Sequence, residues 1–239
     1  MKPFDQQAAY ITGGSKGIGY GVAEALVKLG TNVAITARTA DEVAAAAKTL
    51  TDLGPGRAIG IACDVRDADA QAAAVKQATE AFGGLDIVVA NAGVGHFAPI
   101  DELSAEDWQQ TIDVNLTGVF HTVKATLPAL KESQGFLVTV ASLAGTNFFA
   151  KGAAYNASKF GLVGFTQAVM LDVRSAGVRV STIMPGSVAT YFNGHTPVDA
   201  DAWKIQPEDI GQLVVDLVRM PTRTLPSKIE VRPAQTASK

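Results

Sequence analysis

Tyr155 and Lys159 lie four residues apart in a segment that predicts a helix, so both side chains share one helix face. A tyrosine with the ordinary pKa of about 10 is a poor acid–base catalyst at neutral pH. A neighbouring ammonium group favours the phenolate, and we therefore expect Lys159 to lower the pKa of Tyr155. The pair could then protonate a developing alkoxide or deprotonate an alcohol. Chance alone gives this spacing with a probability of about 0.2 in a chain of this composition, so the pair needs support from its surroundings.

Two further polar residues could complete a site around this pair. Ser142 follows the predicted strand Phe136–Val140, at the carboxyl end of the sheet where α/β proteins bind ligands. Its hydroxyl could hold the substrate oxygen beside the tyrosine. Asn115 lies within a long predicted helix, Ser104–Glu132, and its side chain could hold a water or a backbone carbonyl. The alternative for Asn115 is an exposed or locally bonded asparagine.

A glycine-rich turn follows the first predicted strand and precedes the first predicted helix. Its glycines are spaced G-x-x-x-G-x-G, counted from Gly13. Glycines let the backbone turn tightly and approach a pyrophosphate, and the helix N-terminus favours the negative charge. A tight turn without a ligand is the alternative, since 23 glycines make such clusters easy to find. The position of the turn favours a dinucleotide site that includes Gly13, Ser15, Lys16, Gly17, Ile18 and Gly19.

The end of the second predicted strand indicates which dinucleotide is bound. An NAD site usually carries a carboxylate there for the ribose hydroxyls, whereas this chain has Arg38. Arg38 and Lys16 are expected to lie near each other, and two cations suit a 2′-phosphate. The sequence therefore favours NADP(H), unless Arg38 is an ordinary solvated surface residue.

Strand and helix patterns alternate along most of the 239 residues, which predicts a single α/β domain over residues 1–239 with a doubly wound parallel sheet flanked by helices. The predicted strands are Ala8–Thr12, Asn32–Thr36, Arg57–Ala62, Asp86–Ala90, Phe136–Val140, Val178–Ile183 and Lys228–Val231. The predicted helices are Gly17–Leu29, Asp41–Leu53, Asp67–Phe82, Ser104–Glu132, Gly152–Ala176 and Pro207–Arg219. Ser187–Gln206 is irregular and follows a strand, so we expect a substrate lid there. Pro233–Lys239 is polar and is predicted to be frayed.

Composition excludes several classes of function. A net charge of −3 gives no reason to expect nucleic-acid binding. No apolar run approaches the ~20 residues of a membrane span, and no signal-peptide pattern follows Met1. Cys63 is the only cysteine, which favours a reducing, cytoplasmic location. No cluster of His, Cys or carboxylate residues has metal-ligand spacing, so no catalytic metal is predicted.

The order and spacing of the sequence motifs named below resemble those of the short-chain dehydrogenase/reductase family. The resemblance covers nearly the whole chain, from Ala9 to Val231. The layout is most similar to that of bacterial 3-oxoacyl-acyl-carrier-protein reductases. The resemblance implies a Rossmann fold with seven strands in the order 3-2-1-4-5-6-7. The motifs that carry it are Thr12–Gly19, Asp64-Val65, Asn91-Ala92-Gly93, Asn115, Ser142, Tyr155-Asn156-Ala157-Ser158-Lys159, and Pro185-Gly186 with Thr190.

The resemblance also implies roles for individual residues. Ser142 would orient the substrate oxygen and Tyr155 would be the acid–base. Lys159 would hold the nicotinamide ribose and tune the tyrosine, and Asn115 would support a water relay to solvent. Lys16 with Arg38 is the pattern of NADP-preferring members. The remaining cofactor contacts would be Asp64 and Val65 at the adenine, Asn91, Ala92 and Gly93 by the ribose, and Pro185, Gly186, Val188 and Thr190 facing the nicotinamide.

Three positions or segments differ from the commonest family pattern. Ala90 and Ala141 stand where an asparagine and a serine are frequent, and neither change removes a catalytic group. Many tetrameric members end in Asp-Gly-Gly after the last strand, whereas this chain has Ile229–Pro233 there. Members assemble through the two long helices, so we expect a homodimer or a homotetramer, with the dimer a serious possibility.

The residues around the expected site favour an apolar substrate. The candidate substrate contacts are Ser142, Leu143, Phe148, Phe149, Tyr155 and Phe192, with His96, Phe97 and Ser187 as further candidates for the pocket border. Each phenylalanine could instead be a core residue, and His96 is left out of the catalytic set because a structural or exposed histidine is the commoner case.

We therefore expect an NADPH-dependent enzyme that reduces a ketone, a β-keto ester or a 3-oxoacyl group to an alcohol. Two alternatives stay open: an alcohol dehydrogenase that works in the oxidative direction, and an NADP-binding regulatory or scaffolding protein on the same fold. The regulatory alternative would not need Asn115, Ser142, Tyr155 and Lys159 together. An epimerase or dehydratase is disfavoured because no separate C-terminal substrate domain is present.

Overall fold

The computed structural model describes residues 2–235, and the end of the predicted frayed tail, residues 236–239, lies outside them. Seven parallel strands form one sheet in the order β3-β2-β1-β4-β5-β6-β7, which confirms the predicted fold. The strands are β1 (Ala8–Thr12), β2 (Asn32–Ala37), β3 (Ala58–Ala62), β4 (Ile87–Ala90), β5 (Phe136–Val140), β6 (Arg179–Pro185) and β7 (Lys228–Val231).

Helices cover both faces of this sheet. They are α1 (Gly17–Lys28), α2 (Ala40–Thr51), α3 (Ala68–Phe82), α4 (Ala105–Ile112), α5 (Gly118–Ser133), α6 (Ala153–Val173) and α7 (Pro207–Arg219). One apolar core packs α1, α2 and α7 on one face of the sheet, and a second packs α3, α5 and α6 on the other. Strands β1, β5 and β6 are buried along their whole length, as expected of strands covered on both sides.

Local sequence signals set several helix ends. The carboxylate of Asp67 caps α3 by accepting hydrogen bonds from the backbone N–H groups of Asp69 and Ala70. The same helix ends at Gly83, whose φ of 78° lies in the left-handed region that favours glycine. Pro207 occupies the first turn of α7, where its missing N–H is tolerated.

The predicted helix over Ser104–Glu132 is wrong in one respect. A π-helical turn at Asp113–Thr117 separates α4 from α5. A π turn inserts one extra residue into a helix and shifts the faces on either side of it. Apolar periodicity does not reveal such an insertion, because the segments on both sides keep helical spacing.

The loops that follow β1, β4, β5 and β6 meet at the carboxyl edge of the sheet, where parallel sheets bind ligands. The irregular segment after β6 contains short 3₁₀ turns at Phe192–Gly194 and Asp199–Asp201. Its two ends are joined, because Ala189 N–H donates to Ile205 O at 2.9 Å and Ile205 N–H donates to Ser187 O at 3.1 Å. Among residues 2–235, no helix is long and apolar enough to span a membrane.

Candidate active site

The glycine-rich turn between β1 and α1 is shaped for a close ligand. Gly13 and Gly17 have φ angles of 64° and 61°, which side-chain-bearing residues rarely adopt. A Cβ on Gly19 would lie 2.4 Å from the carbonyl oxygen of Gly13, so only glycine fits there. Lys16 precedes α1 without a side-chain cap, and the first N–H groups of the helix stay available to an anion. The turn therefore fits a dinucleotide pyrophosphate.

Thr12 and Asn91 hold this turn against the end of β4. Asn91 Nδ2 donates to the carbonyl oxygens of Thr12 at 2.9 Å and Gly13 at 3.0 Å. Thr12 Oγ1 accepts from the backbone N–H groups of Asn91 at 3.0 Å and Ala92 at 3.1 Å. Asn91 thus lines the cleft, but its side-chain amide hydrogen-bonds to the glycine-rich turn. Sequence reasoning gave Thr12 no role of its own.

Lys16 and Arg38 are both exposed and line the same cleft. Neither has a carboxylate partner among the ion pairs of residues 2–235, whereas the nearby Asp64 pairs with Arg66 at 2.6 Å. That pairing, more than the charge of Arg38, lowers the pKa of Asp64. Glu42 on α2 also lines the cleft, so the cleft that contains Lys16 and Arg38 also contains a carboxylate.

Lys159 is buried within the site, with 4% of its surface exposed. Its Nζ donates to Val140 O at 3.1 Å and lies 5.7 Å from the centre of the Tyr155 ring. Burial lowers the pKa of Lys159 to about 8. The two side chains therefore share one face of α6, as their spacing predicts.

The expected effect of Lys159 on Tyr155 is wrong in this structure. The pKa of Tyr155 is raised, because burial disfavours the phenolate, and only the hydrogen-bonding contact with Ser142 opposes that rise. The Lys159 ammonium group does not offset this rise, although its Nζ lies 5.7 Å from the centre of the Tyr155 ring. Tyr155 is consequently protonated at neutral pH and can act as an acid.

Ser142 follows the end of β5 by two residues and caps the 3₁₀ turn Leu143–Gly145. Its Oγ accepts from the backbone N–H of Ala144 at 3.1 Å and lies 3.5 Å from Pro185 O. A hydrogen bond between the Ser142 and Tyr155 side chains opposes the rise in the pKa of Tyr155, so the two hydroxyl groups lie side by side. Ser142 can thus hold an oxygen atom of a substrate beside the tyrosine.

Asn115 lies on the π-helical turn and is fully buried. Its Oδ1 accepts from Val94 N–H at 2.8 Å, and its Nδ2 donates to Val94 O at 2.9 Å and to Ser158 Oγ at 3.0 Å. Ser158 Oγ in turn donates to Tyr155 O at 2.8 Å. The side chain of Asn115 therefore joins the loop after β4 to α6. It holds a backbone carbonyl, as expected, although its partners are not evident from the sequence.

The remaining predicted cofactor contacts are brought together by the loops at the carboxyl edge of the sheet. They line one cleft of about 780 Å³ that also contains Tyr155, Lys159 and the glycine turn. These residues are Asp64, Val65, Asn91, Ala92, Gly93, Pro185, Gly186, Val188 and Thr190.

The candidate substrate contacts divide into two groups. The Phe192 ring centre lies 5.6 Å from that of Tyr155, and Phe149 reaches the same cluster through Phe97. Phe148 is 87% exposed and contacts no described aromatic ring, so the structure does not bring it to the site. Its neighbour Phe149 is 48% exposed and contacts Phe97, a difference that the sequence of two adjacent phenylalanines cannot show.

Three other candidates are placed at the border of the site. Leu143 lies against Gly186, where its Cδ1 would be 3.1 Å from an added Cβ. Ser187 lines the cleft. His96 also lines it, but its Nδ1 lies 3.2 Å from Asp107 Oδ1, which supports a structural role for this histidine.

Sequence reasoning quoted Asn156 within a motif without giving it a role. Its Nδ2 donates to Ala144 O at 2.8 Å and to Asn147 O at 2.7 Å, and its Oδ1 accepts from Phe149 N–H at 3.4 Å. Asn156 therefore shapes the loop between Ser142 and α6. An asparagine next to the reactive tyrosine was the available signal.

A family model described as short chain dehydrogenase matches residues 7–200. The chain belongs to the short-chain dehydrogenase family. An uncharacterized oxidoreductase of Staphylococcus saprophyticus is 32% identical over 98% of this chain and 100% of its own length.

Two solved structures are similar to this short-chain dehydrogenase over nearly their whole length. An alcohol dehydrogenase from the archaeon Thermococcus sibiricus, complexed with 5-hydroxy-NADP, has a TM-score of 0.91 at 30% identity and covers 98% of this chain and 99% of its own. A 3-ketoacyl-(acyl-carrier-protein) reductase from Brucella melitensis, complexed with NADH, has a TM-score of 0.87 at 26% identity and covers 97% and 98%. The protein is therefore an oxidoreductase with the fold and motif order of this family.

Proposed function

We propose that this short-chain dehydrogenase uses NADPH to reduce the carbonyl group of a ketone, β-keto ester or 3-oxoacyl compound, with Tyr155 as the acid. The observation that carries the proposal is the meeting of Ser142, Tyr155 and Lys159 with the glycine turn in one cleft. A binding protein would need the turn but not the three polar side chains beside it.

The proposed reaction needs a hydride, which the bound nicotinamide supplies. Ser142 holds the carbonyl oxygen, so that the carbon faces the cofactor side of the cleft. As the carbon gains the hydride, the oxygen takes the proton of the Tyr155 hydroxyl, and an alcohol and a tyrosinate result. The raised pKa of Tyr155 suits this direction, because the hydroxyl carries its proton at neutral pH. Oxidation of an alcohol would run the same steps in reverse.

The remaining residues would bind and position. Lys159 would hold the nicotinamide ribose, and Asn115 would support a proton path to solvent through the turn that it anchors. Gly13, Ser15, Gly17, Ile18 and Gly19 would receive the pyrophosphate. Asp64 and Val65 would contact the adenine, Asn91, Ala92 and Gly93 would form the wall by the ribose, and Pro185, Gly186, Val188 and Thr190 would face the nicotinamide.

NADPH rather than NADH is proposed from Lys16 and Arg38. Their side chains lack carboxylate partners among the described residues and stand at the cleft where the adenosine phosphate would lie. The similar alcohol dehydrogenase is complexed with 5-hydroxy-NADP and the similar reductase with NADH, so fold alone does not select the cofactor. The choice must come from such local charges.

The proposal includes one domain, with the 187–206 segment as a lid over the cleft and a homodimer as the working unit. Support for a dimer comes from apolar side chains on α5 and α6 that are exposed in the single chain: Phe120 at 46%, Phe160 at 43% and Leu171 at 56%. A reducing, cytoplasmic location is proposed from Cys63, a buried free thiol.

An NADPH-oxidation screen over ketones, β-keto esters, acyl thioesters, quinones and sugars tests the proposal. We expect turnover with at least one ketone or keto ester and none after Tyr155→Phe, while cofactor binding persists. Tyr20→Phe is a matched control, since Tyr20 lies on α1 and does not line the cleft. Turnover by Tyr155→Phe at the wild-type rate would remove Tyr155 as the acid, and no oxidation or reduction of any substrate would favour a binding protein.

A further inference from the structure

Phe97 and Phe192 contact Tyr155, and Phe149 contacts Phe97; together the three rings form a surface that we call the aromatic wall. Ring centres are 5.4 Å apart for Phe97 and Tyr155, and 5.6 Å for Phe192 and Tyr155. Phe97 also contacts Phe149 at 5.7 Å and Phe192 at 6.3 Å. The rings meet at tilted or edge-on angles, which aromatic pairs prefer.

The wall is built from three separate loops that are fixed to one another. Ala98 N–H donates to Lys151 O at 3.0 Å, which joins the loop after β4 to the loop after β5. A Cβ on Gly95 would lie 2.5 Å from the Phe192 ring and 2.9 Å from the Phe97 ring, so the backbone passes directly beneath both. The wall is thus formed before any ligand binds, which reduces the entropy lost on binding.

The three rings belong to neither apolar core. Phe97 is 38% exposed, Phe149 48% and Phe192 37%. A contiguous group of half-exposed rings beside a reactive hydroxyl is unusual for a surface whose only purpose is packing. Phe192 lines the cleft and the Phe97 ring centre lies 5.4 Å from that of Tyr155, so exposed ring area adjoins the position of a ligand held at Tyr155.

The titratable side chains that line the cleft on the loops carrying Phe97 and Phe192 have partners within the protein. His96 lies 3.2 Å from Asp107, and Asp201 contacts both His195 at 2.5 Å and Lys204 at 2.6 Å. These contacts satisfy the titratable groups closest in sequence to the two rings. The wall therefore suits an uncharged group.

We infer that the aromatic wall selects substrates in which a ring, aromatic or alicyclic, is attached to the reacting carbonyl carbon. This inference rests on the proposed carbonyl reduction and adds the substrate class. Stacking and edge contacts with the rings of the aromatic wall favour binding of a flat or compact ring beside Tyr155. A flexible alkyl chain makes fewer such contacts and loses more conformational freedom when it binds.

Three methyl ketones of equal carbon count test the inference: acetophenone, cyclohexyl methyl ketone and 2-octanone. We expect kcat/KM to be higher for the two ring-bearing ketones than for 2-octanone, by about tenfold. Phe97→Leu keeps an apolar side chain but removes a ring, and should lower kcat/KM for acetophenone about three- to tenfold while changing that for 2-octanone less than about twofold. Phe148→Leu is the matched control, because Phe148 is exposed and outside the wall.

Direct binding separates this inference from the proposed function. Saturation-transfer NMR of 1-phenylethanol with the NADP⁺-loaded protein should show contact at the ring protons, weakened by Phe97→Leu and unchanged by Phe148→Leu. Ring contact without any turnover would support the wall and overturn the reductase proposal. Equal kcat/KM for the three ketones, or an equal effect of Phe97→Leu and Phe148→Leu on acetophenone, would overturn the wall and leave the reductase in place.

Discussion

Asn115 Nδ2 lies 3.0 Å from Ser158 Oγ, a buried contact between the π-helical turn and α6. Because Ser158 Oγ also donates to Tyr155 O at 2.8 Å, the contact continues to the backbone of the reactive tyrosine. Asn115 and Ser158 are both 0% exposed, so water cannot replace either partner freely. The position of the Tyr155 hydroxyl therefore depends on a residue that lies 43 positions before Ser158 in the chain.

The substitution Ser158→Ala should make the position of the Tyr155 side chain less fixed. We expect a loss of about 1–3 kcal/mol in the free energy of unfolding, because Asn115 Nδ2 loses a buried acceptor. Since the reacting hydroxyl shifts, kcat should fall more than KM rises. Thr166→Val on the same helix is the control: its buried hydroxyl bonds Leu162 O at 2.8 Å and should affect stability alone. Equal kcat values in the two variants would show that Ser158 is only structural.

Arg38→Asp should move the cofactor preference from NADPH towards NADH. The substitution removes a cation from the cleft and adds a carboxylate, which repels a 2′-phosphate and suits ribose hydroxyls. Loss of charge-assisted hydrogen bonds should weaken NADPH binding about 10- to 100-fold. Arg57→Asp makes the same charge change outside the cleft and should leave both Kd values unchanged. An unaltered ratio of the NADPH and NADH Kd values in Arg38→Asp would show that other groups choose the cofactor.

Local patterns predicted every strand and most helix boundaries to within three residues, because continuous apolar strands and capped helices carry local signals. The sheet order was predicted from the family resemblance. The sequence also placed Tyr155 and Lys159 on one helix face. It could not show the π-helical turn at Asp113–Thr117, which depends on how Asn115 bonds to the loop after β4. Nor could it separate Phe148 from Phe149, because the direction of each side chain follows from a loop held by Asn156.

The sequence also could not predict the direction in which the pKa of Tyr155 is shifted. Spacing shows that an ammonium group is near the tyrosine, and proximity alone predicts a lowered pKa. Burial of both side chains reverses this, since desolvation opposes the charged form of each. The extent of burial is set by the packing of several loops, which no local pattern reports.

Lys159→Met should stabilise the cofactor-free protein while abolishing turnover. Burial lowers the pKa of Lys159 from 10.5 to about 8, so the charged form is disfavoured in the folded state. At neutral pH this opposes folding by at most about 3 kcal/mol, at 1.36 kcal/mol for each pKa unit. For this group the unfolded state binds more protons between pH 8 and 10.5, so wild-type stability should rise over that range.

Urea unfolding at pH 7 and pH 10 checks this expectation. The stability advantage of Lys159→Met should shrink at the higher pH, where the wild-type lysine has lost its proton in the folded state. A variant that is less stable than wild type at pH 7 would show that the hydrogen bond from Lys159 to Val140 O outweighs the burial of its charge.

Asp201→Asn should open the 187–206 segment without unfolding the domain. The Asp201 carboxylate joins Lys204 at 2.6 Å and His195 at 2.5 Å, and it accepts from Val198 N–H at 3.2 Å. An uncharged amide keeps the size of the side chain but loses the ion pair with Lys204 and weakens the contact with His195. Amide hydrogen exchange across residues 187–206 should therefore accelerate, and the substrate KM should rise because Phe192 is carried by this segment.

Acidification should have the same effect on the wild-type segment. The hydrogen bond with Lys204, and to a smaller extent the one with His195, lowers the pKa of Asp201 to about 2. A carboxylate with a depressed pKa stabilises the folded form above its unfolded pKa of about 3.9, and that contribution is lost as the pH falls towards about 2. Amide hydrogen exchange in the segment should thus rise over this pH range in wild type and less so in Asp201→Asn.

Asp199→Asn on the same turn is the control, because Asp199 is exposed and has no described ion pair. Identical exchange in Asp199→Asn and Asp201→Asn would mean that the carboxylate of Asp201 does not hold the segment.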